Sequence, residues 1–346
     1  MSRRSVGVGL AITAVGGSAW AHGEVDVDRS STARRSERRA DESSETRGPE
    51  ESPSKDAEGE KRFDVGLDLV LGWGKVPFAV QNLPSTGNRA ITYTYRDAAP
   101  SDVQSFLLSA SGLIAKRLAV GVRLPVTFAA FYPSGSASRS STSLGNLDLD
   151  AEYRLLGVAE TNPLSLFVSL SIALPTAQGD EIPPDLVNRN ASDVDQNAYD
   201  RFSLNRAATF SRGDEEGALF TPKRLGLAPA ISLSYRRGLL SIAPSLKVEN
   251  LVSTSNSLSA PYIGEVVPVL RLGYRVHRAV ELALRAWAVV RFAAPSGDRA
   301  TTVAVEPRIS LRFGSIQPYA GVVLPLTGLP FDGSFFGVRL GVAAAF

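Results

Sequence analysis

The sequence predicts an all-β chain: a transmembrane, antiparallel, up-and-down β-barrel of about 12 strands behind a disordered N-terminal arm. Three observations predict it. Segments of about ten residues alternate apolar and polar with a period of two, the strand period. Short and long connections between them alternate without exception. Aromatic residues of the apolar parity gather at strand ends rather than strand centres. In VELALRAWAVVRF, one parity holds Val280, Leu282, Leu284, Ala286, Ala288, Val290 and Phe292; the other holds Glu281, Ala283, Arg285, Trp287, Val289 and Arg291. A barrel in lipid turns the first set outward and the second into its lumen.

Residues 1–21 read as a secretory signal peptide: Arg3 and Arg4 precede the apolar run Val6 to Gly17, and Ala19-Trp20-Ala21 offers small residues for cleavage after Ala21. Residues 22–62 are charged and nearly free of large apolar side chains. They cannot bury enough surface to offset the entropy of ordering, so they read as a disordered periplasmic linker, with peptidoglycan as a partner it could contact. The chain has 37 basic and 35 acidic residues; without Arg3 and Arg4 the count is 35 to 35, a balance that does not suggest nucleic acid. There is no cysteine, so neither disulfides nor thiolate chemistry enters. With two histidines, His22 and His277, no cofactor, metal or catalytic site is expected.

The barrel is expected over 63–346, with strands at 63–73, 105–114, 117–128, 144–155, 164–174, 224–235, 239–250, 263–276, 279–292, 302–313, 317–325 and 334–346. Long connections fall at 74–104, 129–143, 175–223, 251–262, 293–301 and 326–333. An even number of antiparallel strands with both ends on one side puts short turns at the periplasmic rim and long loops outside. Tyr153, Tyr235, Tyr274, Phe313 and Phe346 form one aromatic belt; Trp73, Phe128 and Phe292 form the other. Pro229, Pro244, Pro268 and Pro307 lie on the apolar face, where each lacks a ladder donor, and suggest local bulges.

The lumen parity carries mixed charge. Candidate pore-lining residues are Asp148, Asp150, Glu152, Arg271, Arg275, Glu281, Arg285, Arg291, Glu306, Arg308 and Arg312. Asp64, Asp68, Arg123, Lys247, Glu249, Glu265 and Arg339 share that parity. An acidic wall from the first and fourth strands would face a basic wall from the eighth to tenth and the twelfth, giving a transverse field that attracts anions. The other reading is a lumen closed by salt bridges, because unpaired buried charge is costly. Loop 175–223 is the longest and is expected either as solvated outer surface or as a constriction folded into the mouth. Its Asp193, Asp195 and Asn197 imitate the start of a calcium loop, but Ala198 and Leu204 replace the glycine and bidentate acid such loops need. No histidine is placed for the hydrolytic chemistry of barrel enzymes, so no enzymatic activity is expected.

The stretches LGNLDLDAEYRLL (144–156) and LSLFVSLSIALPTAQGDE (164–181) resemble a hairpin in a group of outer-membrane channels that includes transporters associated with the meta-pathway of phenol degradation. Gly145-Asn146-Leu147, Glu152-Tyr153-Arg154 and Leu174-Pro175-Thr176 carry the resemblance; Ala177 stands where that group has glycine. The C-terminal strand, ending at Phe346, resembles the segment that the outer-membrane barrel assembly machinery reads. The resemblance implies a porin-like channel architecture in the bacterial outer membrane; together with the lumen charges, the expected function is passive or weakly selective passage of small anionic or aromatic solutes. A structural barrel is the alternative, and a secreted soluble β-protein the third reading.

Overall fold

The computed structural model describes residues 63–82, 92–115, 117–132, 138–157, 163–180, 196–255, 260–293, 301–328, 330 and 334–346. The expected leader and arm (1–62), with Asp193 and Asp195, lie outside the described residues.

The strands are β1 (Phe63–Asn82), β2 (Thr92–Ala115), β3 (Leu118–Phe131), β4 (Arg139–Leu144), β5 (Asp148–Leu156), β6 (Leu164–Ala173), β7 (Arg224–Arg237), β8 (Leu240–Ser253), β9 (Tyr262–His277), β10 (Val280–Ala293), β11 (Thr302–Leu311), β12 (Ile316–Thr327) and β13 (Phe336–Ala345). Every pairing is antiparallel, and apart from β4 and β5 the strands pair with their neighbours in sequence. The two ends of the sheet meet: β1 pairs with β13 from Asp64↔Ala345 to Trp73↔Phe336. The amides and carbonyls of Phe63 and Phe346 complete that seam at 3.1 and 2.8 Å. β4 and β5 both pair with β3, on its residues 126–131 and 118–123, so together they make one interrupted barrel strand. The result is a closed barrel of 12 strands.

Exposure answers the question of which parity faces out. On β10, Leu282, Leu284 and Phe292 are 45–53% exposed, whereas Arg285 and Trp287 are 6% and 2% exposed. The same inversion runs round the barrel, with Leu149, Leu170, Ile231, Leu246, Leu270 and Ile309 outside and Asp68, Asp148, Glu249, Glu265, Glu306 and Arg339 inside. Trp73, Phe128, Phe292 and Phe336 ring the long-loop end; Tyr153, Tyr274, Phe313 and Phe346 ring the short-turn end. Trp73 and Phe336 stack across the closing seam, with centroids 5.4 Å apart. Strands of 14 residues, such as β7, β8 and β10, tilted by about 45°, span roughly 33 Å, close to a hydrocarbon core of about 30 Å.

Four expectations need correction. The connection expected at 74–104 is mostly strand, because β1 and β2 stay paired from Phe63↔Gly112 to Asn82↔Thr92. The strand expected at 144–155 is broken at 145–147, and β4 occupies part of the loop expected at 129–143. The outward prolines make no bulges. Around Pro229, Pro268 and Pro307 the ladder on one flank skips two pairs and resumes in the same register, while the other flank is continuous. An interior strand residue bonds only one neighbour through its N–H, so proline costs a rung on one side and leaves the other intact. Last, the described residues 203–220 of loop 175–223 are not outer surface. The loop carries helices α1 (Gln196–Ser211) and α2 (Gly217–Phe220), and residues 207–220 are buried without interruption.

Candidate functional site

The site is the barrel interior and the loop that fills it. α1 packs along β1–β4 and reaches β13. Its end fits against the wall where Gly72 and Gly337 face each other across the seam; a Cβ on either would collide with Ser211. Leu204, Ala207, Ala208 and Phe210 of α1 and Leu219 and Phe220 of α2 form an apolar core with Val76, Val103, Leu107, Ala129, Phe131 and Phe335. Beyond α1 the chain reverses at Arg212–Gly213–Asp214. Gly213 and Asp214 both take φ of 67°, where glycine is at ease and aspartate is tolerated.

The reversal presents Asp214, Glu215 and Glu216 to the wall. Arg291 donates to Asp214 at 2.6 Å, and the Thr302 hydroxyl donates to the same oxygen at 2.9 Å. Arg285 binds Glu215. Arg212, fully buried, donates to Glu216 at 2.8 Å, to Asp68 at 2.7 Å and to the Ser105 hydroxyl at 3.0 Å. Arg339 grips Asp68 through Nε (3.0 and 2.9 Å) and Nη2, and lies 3.5 Å from Glu306 and 3.6 Å from Glu216. Trp287 Nε1 donates to the Gly213 carbonyl at 2.9 Å, and Lys247 donates to the Glu215 carbonyl at 3.1 Å.

A second clasp holds α2. Asn146, fully buried in the gap between β4 and β5, donates to the carbonyls of Ala218 (2.7 Å) and Thr221 (2.8 Å) and accepts from the Ala177 amide (2.8 Å). Its own amide donates to the Leu219 carbonyl at 2.6 Å. The Thr176 hydroxyl accepts from the Leu147 amide at 2.7 Å and donates to the Gly145 carbonyl at 3.1 Å. A Cβ at Gly145 would strike the Leu219 carbonyl and Pro125. Thus the Gly145-Asn146-Leu147 and Leu174-Pro175-Thr176 motifs meet in space and seat the inserted loop. A cleft of about 20 Å³ remains between α2 and the wall of β3 and β5–β8, lined by Arg123, Asp148, Glu216, Lys247 and Glu249 among others. It has room for about one water.

The sequence-derived residues all lie on the inward parity, but not as two facing walls of opposite sign. Asp148 pairs with its neighbour Arg123 at 2.5 Å and accepts from Ser171. Arg271 pairs with Glu281 at 2.9 Å. Arg291 also binds Glu265 at 2.7 Å, and Arg308 binds Glu306 at 2.7 Å while lying 4.3 Å over the Tyr319 ring. Cations and carboxylates interleave at short range because segregated charge would stand uncompensated in a closed interior. Asp150 lies half-buried against Gly121, and Glu152 is buried nearby. Arg275 and Arg312 are half-buried at the short-turn rim, where their amides bond Leu239 and Ala279. Sequence reasoning missed Arg212, the pairing role of 214–216 and the Asn146 clasp. The usable clue was GDEEG (213–217), an acidic run in a chain whose β10 offers two inward arginines. Among the described residues no cluster of His, Cys, Asp or Glu could hold a metal ion.

No family model matches the chain, and no curated protein matches it. Solved structures do. The COG4313 outer membrane channel from Pseudomonas putida F1 is 13% identical over 83% of this chain and 95% of its own, with a TM-score of 0.49. The β domain of the Bordetella autotransporter BrkA is 14% identical over 82% and 100%, at 0.44. The Ralstonia pickettii toluene transporter TbuX is 10% identical over 82% and 88%, at 0.34. Similarities of this strength carry no argument about function; the barrel stands on its own strand pairing.

Proposed function

We propose that this chain is a channel of the bacterial outer membrane whose lumen is closed by residues 196–223 of its own long loop, and that it passes small organic, chiefly anionic, solutes passively when that segment yields. The observation that carries the reading is the combination of an apolar exterior with a polar interior filled by one inserted loop. The wall behind the loop is lined with Ser, Gly and charged side chains, such as Ser109, Gly121, Arg271 and Gly273, which a solid core would not need. The motif resemblance to outer-membrane channels points the same way. In this reading, residues 22–62 lie in the periplasm within reach of peptidoglycan, and Phe346 is the assembly machinery's contact.

A second reading, a structural barrel with a permanently closed lumen, is favoured by the density of interior ion pairs and by the complete burial of 207–220. Planar-bilayer recording separates the two. Deleting 180–215 is expected to raise single-channel conductance several-fold and to give a reversal potential of anion preference in a salt gradient. A deletion variant that inserts yet stays silent supports the structural barrel.

A further inference from the structure

We propose that the wall seat now occupied by Asp214 and Glu215 is an anion-binding site for a solute carrying two flexibly spaced carboxylates, of the acidic-dipeptide class, and that the loop's acidic run is a tethered competitor for it. The inference rests on the channel reading and names the solute class that its lumen would recognise.

The wall contributes Arg285, Arg291, Thr302 and Trp287 from β10 and β11, and Lys247 from β8. Every one of these donors is turned onto an acceptor of residues 213–215. Two carboxylates and two carbonyls of a short peptide therefore already lie in the seat, in the way a free acidic peptide would. Asp214 and Glu215 bring two negative charges to the seat; the wall brings Arg285, Arg291 and Lys247 against Glu265 on Arg291 and Glu249 on Lys247, a net of +1. The match is incomplete. Nη1 of Arg285, 3.8 Å from Glu306, and Nη1 of Arg291 are buried without a hydrogen-bond partner, and so are Oε2 of Glu215 and of the wall carboxylates Glu249 and Glu265. The Arg285 side chain is 8% exposed, so its spare donor faces protein rather than solvent. A buried donor left unmade is costly, and a ligand free of the loop's backbone constraints can supply the missing acceptors. Arginine recognises carboxylate through its planar fork, so the seat discriminates by charge and by geometry.

The test is direct binding to the full chain in detergent, which needs no conductance. In the variant Asp214→Asn/Glu215→Gln the competitor is neutral. N-acetyl-Asp-Glu-amide, with two carboxylates, is then expected to bind at least tenfold more tightly than N-acetyl-Asn-Gln-amide, which has none, and at least tenfold more tightly than it binds the unmutated protein. Adding Arg285→Gln and Arg291→Gln should abolish the preference. Adding Arg285→Lys and Arg291→Lys, which keeps charge and folding more readily, should weaken it several-fold. Equal binding of the two dipeptides, or a preference that survives loss of both arginines, overturns the proposal. Bilayer recording of the same variants reports separately on the channel: selective binding without conductance would sink the channel and leave the site standing.

Discussion

The inserted loop rests on two unlike surfaces. Along α1, against β1–β3, its main contact is apolar: Leu204, Ala207, Ala208 and Phe210 meet Val76, Val103, Leu107 and Phe131. Toward β10–β13 it is ionic: Asp214 meets Arg291, Glu215 meets Arg285 and Glu216 meets Arg339, while Arg212 carries the same network across to Asp68 on β1. Apolar contact scales with area and loses energy in proportion to what is removed. A buried ion network is conditional, since each member is tolerable only while its partners are present. One side of the loop is therefore a graded support and the other an all-or-none latch.

The largest effect should follow from breaking the latch at its centre. Arg339 is fully buried and serves Asp68, Glu306 and Glu216 together. Arg339→Met leaves three carboxylates short of a cation and should cost about 3–5 kcal/mol, read as a lowered urea midpoint in detergent or lipid. Removing the side chain's carboxylate partner as well, in Asp68→Leu/Arg339→Met, should recover much of the loss. A double variant no better than the single would mean that packing, not charge, makes Arg339 matter.

The dry side gives the next test. Leu204→Ala should cost roughly 2–4 kcal/mol, the transfer term plus a cavity that α1, boxed in by the wall, cannot collapse. Because no charge is involved, the loss should be the same at low and high pH, whereas the Arg339→Met penalty should shrink as pH falls and the orphaned carboxylates protonate. Parallel pH dependences for the two variants would erase the distinction between support and latch.

How much of this was legible in the sequence follows from the same physics. The wall was legible because lipid outside and polar contacts inside force two-residue alternation, and Leu282/Arg285-type parity survives any detail of tilt. The extension of β1 and β2 was not, because TYTYRDAAPSDVQ has Pro100 and paired Asp and Ala residues that break the alternation. α1 was hidden for a different reason. Packed against apolar and polar wall residues alike, with Asn197 exposed and Arg201, Phe202 and Arg206 half-buried, QNAYDRFSLNRAATFS needs no single apolar stripe of helical period and shows none. The inward charges were legible one at a time. Their partners were not, since Arg212 meets Asp68 across 144 residues of sequence. Likewise nothing local in Gly145-Asn146-Leu147 says that the asparagine will clasp residues more than 70 positions away.

Trp287 joins the two kinds of surface and offers the smallest and sharpest test. Its ring belongs to an apolar cluster with Val267, Val289, Ala304 and Val323 and lies under the Arg285 guanidinium at 5.2 Å. Its Nε1 donates to the Gly213 carbonyl at the point where the loop reverses. Trp287→Phe keeps a ring under the guanidinium and removes the donor, so it should cost about 1 kcal/mol for the bond, with a further fraction for the smaller ring. The energetic effect is modest, but it falls on the turn that aims Asp214 and Glu215 at Arg291 and Arg285. If that turn is part of the latch, Trp287→Phe should raise the frequency of open-channel events in bilayers while the urea midpoint moves little. A variant that loses stability without any change in opening would make Trp287 part of the wall alone, and would place the latch entirely in the ion pairs.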